Sequence, residues 1–174
     1  MKRSVSIAIL SVLTVILVPV AGQAQFGCKD LAGDEKVTYS KPTFIFTVDY
    51  PKLMSWVMDL GEPKVKFRTK PPGMIGFQFG HSRTPTNVEQ FDRSIADWTP
   101  AFEFDYGDAK VTVYGNPINQ PKMAEYQALL PHKGDFYNFS AGLEWGEMGC
   151  EDHDRRIDLE AAIKTLKPNP DSTQ

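Results

Sequence analysis

Hydrophobic residues fall along this chain in short runs, and the period of each run sets the element it predicts. The strictest pattern lies at 135–145, where Tyr137, Phe139, Ala141, Leu143 and Trp145 alternate with Asn138, Ser140, Gly142 and Glu144. Such a run reads as a long, half-buried antiparallel strand. Segments 102–106 and 109–114 flank Gly107-Asp108, a two-residue turn suited to type II′ geometry. That turn sets Asp105 against Lys110, Phe104 against Val111, Glu103 against Thr112 and Phe102 against Val113. One face is then apolar and the other polar. Segments 64–69 and 75–79 form a second hairpin with 70–74 as its loop, which places Phe67 opposite Phe77 and Val65 opposite Phe79. A loop one residue shorter would set Lys66 against Phe77, so the pattern itself selects the register. Two further strands are expected at 37–39 and 43–48. The second is apolar on both faces at Phe44, Ile45 and Phe46, as a central covered strand would be.

Short helices are expected between these strands. At 51–60, Leu53, Trp56, Val57 and Leu60 recur at i, i+3, i+4 and i+7; Pro51 suits the first turn, and Gly61 with Pro63 ends it. Thr86 and Glu89 have capping-box spacing and predict a helix over 87–95. A third helix is predicted at 119–130, with Met123, Tyr126 and Leu130 on one side and Pro131 as its stop. The last, at 154–166, turns Leu159, Ala162, Ile163 and Leu166 inward. Hairpins with helices interspersed singly imply an α+β domain: an antiparallel sheet of about 5–7 strands and about 3–4 short helices. The Pro-rich, polar 167–174 segment is expected to be a mobile tail after a single domain over 25–166.

The N-terminal residues change this picture by assigning a compartment. Lys2 and Arg3 precede an apolar run from Ile7 to Val20, and Gly22-Gln23-Ala24 offers small residues where a signal peptidase reads. The run is about 14 residues, short of the roughly 20 a membrane span requires. Residues 1–24 therefore read as a cleavable signal peptide, and the mature chain as exported, to the periplasm or the extracellular space. Cleavage takes Lys2 and Arg3 from 19 basic residues and none of the 22 acidic ones, moving the formal charge from −3 to about −5. Charges alternate in sign without a basic block, which argues against nucleic acid as a partner. Two cysteines, Cys28 and Cys150, are expected to form one disulfide in an exported protein. Closing a loop of roughly 120 residues would contribute about 5 kcal/mol in the chain-entropy model.

Candidate chemistry is sparse. The chain contains no Gly-x-Ser-x-Gly, no His-Glu-x-x-His, no phosphate loop and no dinucleotide glycine pattern. Glu151-Asp152-His153-Asp154 is dense in potential ligands, but acidic residues at a helix start complement its dipole, so no metal site is expected. No cofactor is implied. Glu103 and Glu144 form a carboxylate pair only if their strands are neighbours. Gly80-His81-Ser82-Arg83 follows a strand and precedes a capped helix, a place where Arg83 can fork onto an anion and His81 can act as acid or base. Trp98, Tyr114 and Phe136 fall outside the core stripes, and Trp98 and Tyr114 are candidate contact residues beside His81, Ser82 and Arg83. The function expected from this profile is non-enzymatic binding of another protein or an envelope component. The alternatives are a pocket for a small apolar ligand, suggested by the Phe-rich strands, and an envelope hydrolase using dispersed carboxylates or His81.

Overall fold

A computed structural model describes residues 30–61, 63–69, 75–117, 124–145 and 155–174. In chain order the elements are α1 (Asp30–Gly33), β1 (Lys36–Tyr39), β2 (Phe46–Pro51), β3 (Trp56–Asp59), β4 (Lys64–Arg68) and β5 (Ile75–His81). They continue with α2 (Val88–Ser94), β6 (Thr99–Tyr106), β7 (Ala109–Gly115), β8 (Glu125–His132), β9 (Asp135–Trp145), α3 (Arg155–Ile163) and β10 (Lys167–Pro168).

The strands form two antiparallel sheets. One has seven strands in the order β3-β4-β5-β9-β8-β7-β6, and the other has three in the order β1-β2-β10. Alternation decides which side of the large sheet is buried. Val65, Phe67, Phe77, Phe79, Val111, Val113, Tyr126, Leu130, Phe139 and Leu143 point to one inner face and are buried there. Phe46 and Val48 of the small sheet, with Phe44 just before β2, cover that face, and Leu159, Ala162 and Ile163 cover it from α3. The Phe-rich face is thus filled by the chain's own side chains.

Both predicted hairpins have the expected registers. Phe67 pairs with Phe77 and Val65 with Phe79, although residues 70–74 lie outside the described set. Asp105 stands opposite Lys110, Phe104 opposite Val111, Glu103 opposite Thr112 and Phe102 opposite Val113. Gly107 has φ +61° while Asp108 is not among the positive-φ residues, as a type II′ turn requires. Lys110 reaches diagonally to Glu103 at 3.6 Å. The strand at 135–145 has its expected bounds in β9.

The expected balance of helix and strand is corrected: the fold is mostly β. Among the described residues only α2 and α3 exceed the single turn of α1. In place of a helix at 51–60, a turn closed by Met54 N–H on Pro51 C=O leads into β3, which pairs with β4. The four residues of the apparent stripe remain exposed, and Met54 is buried instead. Pairing satisfies the backbone of β4, and that long-range demand outweighs a local helical spacing. The helix at 119–130 is likewise replaced, from Glu125 onward, by β8; residues 118–123 are outside the described set. Tyr126 and Leu130 are four apart, and residues four apart share a face in a strand as well as in a helix. The partner was hidden by its turn: Lys133 and Gly134 have φ +50° and +90° and close the β8–β9 hairpin.

The 167–174 segment, expected to be mobile, is anchored. Lys167 and Pro168 pair with Thr47 and Phe46. The buried Asn169 amide donates to Lys41 C=O at 2.8 Å and to Phe44 C=O at 2.9 Å. Lys133 Nζ donates to the carbonyls of Ser172 and Gln174, each at 2.9 Å. Cys28, Cys150 and the Glu151-Asp152-His153-Asp154 cluster lie outside the described residues.

Candidate functional site

His81 is the last residue of β5, and alternation turns its ring inward rather than into a loop. The ring meets Phe44, Phe46 and Tyr137 edge-on. Its Nδ1 lies 2.7 Å from Ser82 C=O, and its Nε2 is 3.4 Å from Ile45 N–H. These contacts fit a neutral ring that donates through Nδ1 and accepts at Nε2. Ile45 carbonyl in turn accepts from Tyr106 hydroxyl at 2.9 Å and from Asn169 N–H at 2.8 Å. Both backbone groups of Ile45, in the irregular stretch before β2, are therefore satisfied. Burial pushes the Tyr106 phenol well above its ordinary value.

Burial also holds His81 below its ordinary value of 6.5, opposed by its bonds to the Ser82 and Thr43 backbone and aided by the nearby His132. His132, on β8, is lowered by burial and then by the Lys133 charge. Both folded-state values lie below the unfolded one, so the folded chain binds fewer protons near pH 6. The stabilisation is complete above about pH 6.5 and is lost as pH falls toward the folded values. Calorimetry from pH 8 to pH 5 is expected to show a level melting temperature above about pH 7 and a decline below about 6.5. His81→Gln, which keeps an acceptor for Ile45 but does not titrate, is expected to shrink that decline. An unchanged pH slope in this variant would remove His81 as the cause.

Ser82 and Thr86 are used structurally. Their hydroxyls stand 3.0 Å apart, and each accepts from Asn138 N–H at 3.1 Å. Ser82 N–H donates to Asn138 C=O and Thr86 N–H to Phe136 C=O, which carries the β5–β9 ladder past His81. With Thr86 so engaged, Asn87 caps α2 instead, accepting from Gln90 N–H at 3.2 Å. Arg83 is exposed in the same loop. Glu103 and Glu144 lie on β6 and β9, which β7 and β8 separate, so they are not cross-strand neighbours.

Trp98 and Tyr114 lead to a different place, the outer face of the large sheet. Tyr114 meets Phe91 of α2 edge-on, at 6.1 Å between ring centres. Phe91 and Ile95 are buried but stand apart from the main core, so they seat α2 on this outer face. A bond from Trp98 N–H to Ile95 C=O at 2.8 Å turns the chain after α2 and holds Trp98, half-buried, beside the sheet.

Two cross-strand rows run beneath it. Lys66, Gln78, Gly142 and Glu125 oppose one another in turn across β4, β5, β9 and β8. Lys64, Gly80, Ser140, Gln127 and Tyr114 do so across β4, β5, β9, β8 and β7. The glycines differ in what they allow. A Cβ on Gly80 would meet Lys64 Cγ at 3.0 Å and Pro63 carbonyl at 3.2 Å, so its absence lets the chain pack. A Cβ on Gly142 would meet only Ala124 carbonyl at 3.8 Å. The missing side chain there leaves a depression between Gln78 and Glu125.

That depression is a cleft of about 240 Å³ lined by Gln78, Trp98, Glu125, Gln127, Ser140 and Gly142. Glu125 accepts from Asn116 Nδ2 at 3.1 Å, and Gln127 Oε1 lies 3.4 Å from Asn138 Nδ2. Asn138 Oδ1, beside them, is buried without a partner. The lining offers two amides, a hydroxyl, one carboxylate and an indole, groups that exchange hydrogen bonds with hydroxyls while the ring covers apolar C–H surface.

Of the five sequence candidates only Trp98 lines the cleft, and Tyr114 stands beside it opposite Gln127. Ser140, Gly142 and Gln78 were assignable to a polar strand face by alternation, whereas the helix expected at 119–130 concealed Glu125 and Gln127. Among the described residues no three metal-ligating side chains cluster, and no helix is long and apolar enough to cross a membrane. The chain matches no family model and no curated protein sequence.

Proposed function

We propose that the mature chain is an exported binding protein that takes a small, uncharged, polyhydroxylated ligand of the saccharide class on the outer face of its large sheet. The observation that carries this reading is the Gly142 depression, walled by Gln78 and Glu125 and flanked by Trp98. A cleft of this size is below the roughly 300–1,000 Å³ of drug-sized sites and suits a ligand of one or two rings. No cationic side chain among the described residues lines it, which disfavours phosphate and sulfate esters.

The test is titration of the mature protein with a panel of neutral mono- and oligosaccharides, followed by tryptophan fluorescence and calorimetry. Trp98→Ala is expected to weaken binding at least ~10-fold, as loss of an aromatic anchor does. Gly142→Val is more selective. Valine favours a strand, and a Cβ here meets nothing nearer than Ala124 carbonyl at 3.8 Å, so melting should hold or rise while the filled depression loses its ligand. The reading fails if no member of the panel binds more tightly than about 1 mM, or if Gly142→Val binds as the unaltered protein does.

A further inference from the structure

The two edges of the large sheet, β3 and β6, are built differently. The β6 edge carries the usual protections: Pro100, a register break between Pro100 and Phe102, and exposed Glu103 and Asp105. The β3 edge reads Trp56-Val57-Met58-Asp59, without proline or lysine. Leu53, Trp56, Val57 and Leu60 are 45%, 45%, 39% and 41% exposed, and they make up four of the seven large exposed hydrophobics among the described residues. The charge of Asp59 is already engaged, by Lys41 Nζ and by Tyr39 hydroxyl. An apolar edge of this kind is a template for another strand.

We propose that β3 pairs antiparallel with β3 of a second copy of this chain. The strand reads compatibly against its own reverse. A two-fold axis perpendicular to the sheet keeps outer faces on one side, so opposed residues must share a face. Centring the axis on Val57 sets Val57 against itself, Trp56 against Met58 and, just beyond β3, Ser55 against Asp59. Apolar residues then meet apolar ones, and the carboxylate meets a hydroxyl. Centring on Trp56 would put Asp59 against Leu53, and centring on Met58 would put it against Val57. The Val57 register avoids both mismatches and opposes no like charges. The same axis opens both outer faces to one side. On the saccharide reading, which the dimer itself does not require, the two clefts would then grip a polymeric ligand at two points.

Sedimentation velocity on the mature protein is expected to show a monomer that becomes a dimer with rising concentration. Val57→Lys, which opposes two ammonium groups at the axis, should weaken association at least ~10-fold. The register has its own test in Val57→Cys, which holds even if the lysine variant folds poorly. Opposed Cα atoms of an antiparallel pair lie about 4.5–5.5 Å apart, within disulfide range. Mild oxidation should give a dimer in which the introduced thiols of the two copies are linked to each other, and Asp59→Cys should give little. A chain that stays monomeric at every concentration overturns the proposal, even if another protein occupies that edge; so does equal cross-linking at positions 57 and 59. Loss of saccharide binding with the dimer intact would count only against the cleft.

Discussion

Phe46→Ala is expected to lower the unfolding free energy by about 3–5 kcal/mol, the usual cost of truncating a fully buried phenylalanine. Phe46 lies where the two sheets meet, on β2 opposite Pro168. Its ring is wholly buried against Phe44 at 5.4 Å, Phe139 at 5.6 Å and His81 at 5.9 Å. These neighbours belong to three separate segments, so the cavity left behind cannot close by moving one of them. A domain of this size is stable by only about 5–15 kcal/mol, and the melting temperature should fall by roughly 10 °C. Urea unfolding of both proteins measures the difference. Phe136→Ala, at an exposed ring on β9, should change stability by less than about 0.5 kcal/mol. A loss below about 1 kcal/mol at Phe46 would show that the sheets do not pack through this side chain.

Asn169→Ala is expected to cost about 1–3 kcal/mol, although position 169 is in a segment that sequence alone assigns to a loose tail. Its amide donates to Lys41 and Phe44 carbonyls, and its Oδ1 accepts from Asp171 N–H at 3.2 Å. Truncation leaves the buried Phe44 carbonyl without that donor, at the bend where β2 leaves its ladder. Thermal unfolding beside the exposed-site control Asp171→Ala is the check, and the control should stay within about 0.5 kcal/mol. Equal melting temperatures for the two variants would mean that the Asn169 side chain contributes nothing to the fold.

What could be read from the chain was whatever is local. The β6–β7 hairpin is specified by a two-residue turn and by its inner pairs out to Phe102–Val113, each compatible with its partner. Strand β9 announces itself by period alone. The β4–β5 register follows because a one-residue slip would set Lys66 against Phe77 instead of Gln78. Helices α2 and α3 were legible too, although the Asn87 cap was not. Thr86 is as good a cap by composition, and only the presence of Asn138 N–H diverts its hydroxyl.

Errors arose where a spacing fits two structures and a distant partner chooses between them. Tyr126 and Leu130 share a face in helix and strand alike, and β9 decides for the strand. Lys133 gives no hint of a positive φ, because lysine is not a residue that favours it, so the turn that would have revealed this hairpin stayed hidden. The 51–60 stripe has perfect helical spacing, yet β4 takes it as an edge strand and leaves its apolar residues in solvent. The sequence alone places His81 in a loop; it is a core histidine because β5 runs two residues beyond the apolar run that ends at Phe79. The cleft was not visible at all. Its lining comes from β5, β8, β9 and the turn after α2, and strand order determines which polar faces lie side by side. The amino-acid sequence by itself determined the local pairings and the inner and outer faces of each strand, since these depend on side-chain alternation. Only tertiary structure decided the order of the strands, the anchoring of residues 167–174 and the depression at Gly142, because each requires contacts between segments whose separation no local pattern encodes.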